Sequence, residues 1–245
     1  MTDVASSEGL QKFTYRKPNG VGATTVVGLG QSDVLTMEVH VAPVGSTLAF
    51  EADGARESTW LVLGGQARFT DAGGAALGDF GHWQGVHAPR ASAYQLEAIG
   101  DADLEVLHIA ATDPRGASAA STQSAAILPI SYDDPDFDAG SDITVPRLWP
   151  GDDMLTVTVE KVRDGEGDDP PHAHFGIVGA WFMLGGRVRF HGMTDASAYE
   201  MNTEDAVFLP SGTAYGFKAL DHEPAHVLHV KALDLGADKH ERVDY

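Results

Sequence analysis

From Leu155 to Val162 the chain reads Leu-Thr-Val-Thr-Val-Glu-Lys-Val, with apolar residues alternating with Thr or charge. That period of two is what a half-buried β-strand requires. Trp181 to Phe190 reads as two strand-like runs around Gly185-Gly186, which predicts a tight turn. Ala206-Val-Phe-Leu209 predicts a strand ending at the turn Pro210-Ser-Gly212, and Val227-Leu-His-Val230 predicts another. No segment carries a convincing amphipathic helical period, short pieces around 112–124 apart. Many short strands punctuated by Gly and Pro predict an all-β sandwich or barrel.

The pattern occurs twice. A shift of 121 residues lays Trp60-Leu-Val-Leu-Gly64-Gly65-Gln-Ala-Arg68-Phe69 on Trp181-Phe-Met-Leu-Gly185-Gly186-Arg-Val-Arg189-Phe190, six identities in ten. Chance alone gives roughly one in fifteen. The same shift lays Pro89–Tyr94 on Pro210–Tyr215 and Val106-Leu-His108 on Val227-Leu-His229. Leu35–Val39 matches Leu155–Val159 at a shift of 120, and Tyr15-Arg-Lys-Pro18 echoes Tyr132-Asp-Asp-Pro135. A period this long marks a duplicated domain rather than a solenoid. The small polar stretch Thr112–Ser124 reads as the connection, which predicts domains 1–120 and 121–245.

Composition narrows the function classes. The 245 residues carry 16 Lys+Arg and 36 Asp+Glu, a net charge of −20. This argues against nucleic acid, whose phosphates need Lys and Arg, and against an anionic membrane surface. No Cys is present, so disulfides, thiolate metal sites and Cys nucleophiles are excluded. Residues 1–20 contain no apolar run after a basic start, and no stretch has the length of a membrane span, so a soluble cytoplasmic protein is expected. No phosphate loop or Gly-x-Ser-x-Gly elbow occurs.

Two motifs carry a family resemblance. Gly165-Glu-Gly167-Asp-Asp-Pro-Pro171-His172-Ala-His174, followed by Gly179, Trp181 and Gly186, resembles the first cupin motif of Gly, His-x-His, Glu and Gly. Glu204 to Tyr215, with Pro210-Ser-Gly212, resembles the second, Pro-x-Gly-x-x-His. Each half is therefore similar to a cupin, and the whole is most like the bicupin quercetinase-type dioxygenases. The resemblance implies two tandem jelly-roll barrels and a divalent transition metal (Fe, Ni, Cu or Mn). It also implies a small enolic, flavonol-like or polyketide-like substrate. The departures fall on the ligands. Gly179 holds the motif's Glu position and Tyr215 its final His position; in the first half Glu51-Ala-Asp53, Ser58 and Tyr94 hold the corresponding places.

Residues i and i+2 of a strand share a face, so His172 and His174 can converge inside the second barrel as metal ligands. Tyr215 as a phenolate, or His229, would complete or flank that site; in a metal-free site Tyr215 would be the acid and His172, His174 or His229 the base. The repeated pair His108 and His229 reads equally as core histidines, and Trp60 and Trp181 as core aromatics. Glu51 and Asp53 are a carboxylate pair suited to a hard cation, or an exposed acidic loop in a barrel that has lost its chemistry. Three functions stay open. One is a metal-dependent dioxygenase in the C-terminal barrel. A second is a metal-free isomerase, epimerase or cyclase using His and Tyr. The third is a non-catalytic bicupin that binds a small molecule. Cupins commonly pair barrels, so a homodimer stays open. The acidic residues Asp133, Asp134, Asp136, Asp138 and Asp142, with Asp164, Glu166, Asp168 and Asp169, read as a solvated loop; with a metal on His172 and His174 they would be a rim favouring the cation and a neutral or weakly acidic substrate.

Overall fold

A computed structural model describes residues 5–7, 10–18, 22–114, 126–132, 143–144, 154–192, 198–233 and 239–242. Most of the connection 112–124 and the acidic run 133–142 lie outside them. Among the described residues every regular element is a strand.

In chain order these are β1 (Ala5–Ser7), β2 (Leu10–Thr14), β3 (Thr25–Gln31), β4 (Leu35–Ala42), β5 (Thr47–Phe50), β6 (Arg56–Gly64), β7 (Gln66–Asp71), β8 (Ala76–Phe80), β9 (Gln84–Ala88), β10 (Tyr94–Ile99) and β11 (Leu104–Thr112). Then follow β12 (Leu128–Ser131), β13 (Ile143–Thr144), β14 (Leu155–Val162), β15 (Gly167–Phe175), β16 (Ile177–Gly185), β17 (Val188–His191), β18 (Tyr199–Met201), β19 (Asp205–Leu209), β20 (Ala214–Ala219), β21 (Ala225–Leu233) and β22 (Lys239–Arg242).

The chain divides into two compact units: Arg16–Tyr132, here the N-terminal barrel, and Met1–Tyr15 with Asp133–Tyr245, the C-terminal barrel. The N-terminal barrel faces the sheet β12-β9-β6-β11-β4-β3 with the sheet β5-β10-β7-β8. The C-terminal barrel repeats the pattern as β1-β2-β19-β16-β21-β14-β13 and β18-β17-β20-β15-β22. All pairings are antiparallel. Register keeps the duplication to the residue: Trp60 lies opposite His108, and Trp181 opposite His229. In each unit the strand that precedes the other repeat completes the sheet, β12 on β9 and β2 on β19. Even an unfavourable backbone is repeated, since Trp83 and Glu204 both adopt positive φ. Their carbonyls accept hydrogen bonds from the amides of Tyr132 and Tyr15.

The alternation read in the sequence is the burial pattern of β14, whose Leu155, Val157 and Val159 are buried while Thr156 and Thr158 are half-buried. The Gly-Gly turns are demanded locally. Gly65 and Gly186 sit at φ 73° and 75°, and a Cβ on either would meet backbone at 2.7 Å and 2.9 Å. Inside the barrels Trp60, Phe69, Leu96 and Val106 fill one core, and Trp181, Phe190, Phe217 and Val227 fill the other.

Candidate functional site

Three ligand-bearing side chains meet inside the N-terminal barrel. Glu38 and His40 are i and i+2 on β4 and share its inner face, and His108 on β11 pairs in register with Glu38. The Glu38 carboxylate oxygen Oε1 lies 2.9 Å from His40 Nε2 and 3.0 Å from His108 Nδ1. A carboxylate only accepts, so both nitrogens donate to it. That leaves the His108 Nε2 lone pair to accept the Ser58 hydroxyl at 3.2 Å. Trp60 stacks on His108 at 3.9 Å and donates its Nε1–H to the Tyr94 hydroxyl at 2.8 Å. His40 Nδ1 is buried without a hydrogen-bond partner.

The protonation states follow from these contacts. The hydrogen bonds from His108 and then His40 hold the Glu38 carboxyl well below the usual carboxylate range, so it is ionised at neutral pH. Burial pulls the His108 imidazole down to about 4, so it is neutral. The ligand atoms of Glu38, His40 and His108 all lie within 4.8 Å of one another, a group that could hold a metal ion. His108 also lines a cavity of about 460 Å³, together with Phe50, Arg56, Ser58, Ala88 and Tyr94. That volume lies in the range of small-molecule sites.

The residues singled out in the C-terminal half also come together. The His172 ring lies 5.1 Å from that of His174 and 4.6 Å from that of Tyr215, and His174 lies 6.4 Å from His229. Trp181 stacks on His229 at 3.7 Å. His229 Nδ1 lies 2.9 Å from the Glu160 carboxyl oxygen Oε1, and burial pushes that carboxyl up to about 7. The cavity beside His174, Tyr215 and His229 measures about 10 Å³, enough for one water or ion.

One alignment made from the sequence alone changes. Glu51 does not hold the place of His172. Opposite Tyr94 stands Phe50, as His172 stands opposite Tyr215, because β15 shifts register between Asp168 and His172 while β5 runs evenly. Phe50 accordingly stacks on Tyr94 at 5.1 Å, and Glu51 and Asp53 are exposed at the cavity rim. The first barrel also carries ligand-bearing side chains away from the motif positions, Glu38 and His40 on β4. The motif search passed over them because they lie on a different strand. The available signal was Glu-x-His on one strand face together with the repeated His108.

No family model matches the chain, and no curated relative matches it. Solved structures do. The cupin 2 conserved barrel domain protein from Leptotrichia buccalis superposes with a TM-score of 0.67 at 10% identity, over 88% of this chain and 92% of that one. Protein Ylba from E. coli gives a TM-score of 0.68 at 9% identity, over 99% and 96%. A Bacillus subtilis oxalate decarboxylase variant gives 0.57 at 13% identity, over 97% and 76%. The chain has a bicupin fold. At these identities the likeness carries the fold alone. Among the described residues no helix is long and apolar enough to cross a membrane.

The cupin fold commonly carries a metal, and the donor chemistry here fits one. Two imidazoles and an ionised carboxylate are a 2-His-1-carboxylate set, the type associated with non-haem iron oxygenases. Glu38, His40 and His108 are the residues that would hold it.

Proposed function

We propose that the chain is a cupin enzyme that oxidises a small organic molecule in its N-terminal barrel, with a divalent transition metal held by Glu38, His40 and His108. The observation that carries this reading is the 2-His-1-carboxylate cluster beside a cavity of about 460 Å³. A metal on this set supplies Lewis acidity and, as Fe or Mn, redox chemistry toward an enolic substrate. The protein's own contributions are distinct. Ser58 holds the far nitrogen of His108, and Trp60 fixes its ring plane. Phe50 and Tyr94 give the cavity an apolar wall against which an organic body can lie.

Metal analysis of untagged protein tests the reading. One equivalent of Fe or Mn per chain is expected, lost in His40→Ala and Glu38→Gln and kept in His172→Ala. Metal lost only in His172→Ala would return the chemistry to the C-terminal barrel.

The hydrogen-bonded chain from Glu38 through His108 to Ser58 favours a second reading. There the metal is absent and neutral His108 is a general base at the cavity wall, oriented by Glu38, with Tyr94 as acid. Metal-free protein that turns over a carbonyl substrate, and loses that activity in Tyr94→Phe, supports it.

A further inference from the structure

The cavity of the N-terminal barrel contains one cationic side chain, and its surroundings point to what it binds. Arg56 opens β6 and alternates with Ser58 and Trp60, so it starts from the inner face of the strand and lines the same cavity as His108. Two other arginines of this barrel are matched to acids, Arg68 to Asp79 and Arg90 to Asp113, each at 2.7 Å. Among the described residues the Arg56 guanidinium has no such partner. The nearest acids in sequence do not supply one: the Asp53 carboxylate accepts the Ala55 amide at 2.9 Å, and Glu51 lies exposed at the rim. Arg56 is exposed, and Glu51 and Asp53 line the same cavity without pairing to it.

The duplicated barrel supplies an independent comparison. Arg56 opposes Thr112 in the N-terminal barrel as Ile177 opposes Leu233 in the C-terminal one. At the same place in the twin, where the cavity shrinks to about 10 Å³, the residue is apolar. The cation therefore accompanies the open cavity and is not needed by the fold. Ser92 is also among the lining residues, and its hydroxyl is buried without a hydrogen-bond partner.

We propose that this cavity binds a small organic acid, its carboxylate held by the Arg56 guanidinium and its apolar body lying against Phe50. The planar fork of Arg matches the two oxygens of a carboxylate. This names the substrate class of the site under Proposed function and rests on that site being the working one. The apolar wall and the guanidinium together select an aromatic or unsaturated acid over a sugar or a free amine.

The test is calorimetric titration of the full chain with sodium benzoate and with benzamide, which share shape and differ in charge. Benzoate is expected to bind at least about tenfold more tightly than benzamide, as a charge-assisted pair implies. Arg56→Gln is expected to remove that tenfold advantage, leave benzamide unchanged and leave metal content unchanged. Ala88→Leu, which adds bulk to the cavity wall, is expected to weaken binding of both. Equal affinity for acid and amide, undiminished benzoate binding in Arg56→Gln or Ala88→Leu, or no binding of either probe overturns the proposal. Glu38→Gln separates it from the metal reading. Metal retained in Glu38→Gln, with benzoate lost in Arg56→Gln, removes the metal assignment and keeps the acid site. Benzoate lost with the metal in Glu38→Gln, but kept in Arg56→Gln, removes the Arg56 site and keeps the metal.

Discussion

The two cavities are built from the same positions and differ almost fiftyfold in volume, about 460 Å³ against about 10 Å³. Tyr94 and His108 in one match Tyr215 and His229 in the other. The decisive exchange is a cross-strand pair. Ser58 opposes Ala88 in the N-terminal barrel, and Gly179 opposes Leu209 in the C-terminal one. The Leu209 side chain fills the space over Gly179, 3.7 Å from where a Cβ there would stand. A second exchange moves the carboxylate. At one register position the barrels carry His40 and Glu160, so one interior holds Glu-x-His and the other a lone Glu. Duplication thus kept the Trp-on-His stack in both barrels and changed the room and the charge around it.

The largest effect expected from breaking this comparison is at the shared stack. Trp60→Ala and Trp181→Ala each remove a fully buried indole and should each cost about 3–5 kcal/mol of stability in urea unfolding. A cost confined to one barrel would show that the stack is not a common structural device. Next come the exchanged residues. Leu209→Ala should cost about 2–5 kcal/mol by opening the packed barrel. Ala88→Leu adds bulk to a cavity that has room and should leave thermal stability nearly unchanged while narrowing the pocket. Equal losses would mean the N-terminal cavity collapses in solution. Glu38→Gln keeps the shape and removes the ionised oxygen, so the affinity for Mn or Fe should fall by about a hundredfold or more, read by competition with a chelator.

The smallest effect is the pH response, which should have opposite signs in the two barrels. Glu160 has a folded value near 7 against an ordinary 4.5, so the native state keeps a proton that the unfolded chain has lost. Its contribution is complete below about pH 4.5 and disappears as pH rises through 7, a span of roughly 1–3 kcal/mol. Glu38 is shifted downward, so its contribution is present above about pH 4.5 and is lost on acidification. Urea midpoints of the parent should therefore decline between pH 5 and 8, and Glu160→Gln should lose that decline. An unchanged decline would place its origin elsewhere.

Much of the architecture was legible because its causes are local. Alternation along Leu155–Val162, the glycine turns at Gly65 and Gly186 and the 121-residue shift are properties of neighbours in sequence. The meeting of His172, His174, Tyr215 and His229 was legible too, through i, i+2 spacing and a motif. The alignment of Glu51 with His172 failed because a two-residue irregularity in β15 is visible only in strand pairing. The Glu38–His40–His108 cluster was legible only as separate pieces, Glu-x-His and the repeated His108, because 68 residues separate His40 from His108 and only sheet register brings them together.

The sequence by itself determined that this protein is a pair of all-β barrels with a repeated aromatic scaffold, since strand period, turn glycines and internal repetition are read directly along the chain. Only the tertiary structure decided which barrel has a cavity and which side chains face it. Volume and ligand geometry depend on who stands opposite whom across a sheet, as Ser58 with Ala88 and Gly179 with Leu209 show. A cross-strand partner is set by the packing of the whole barrel.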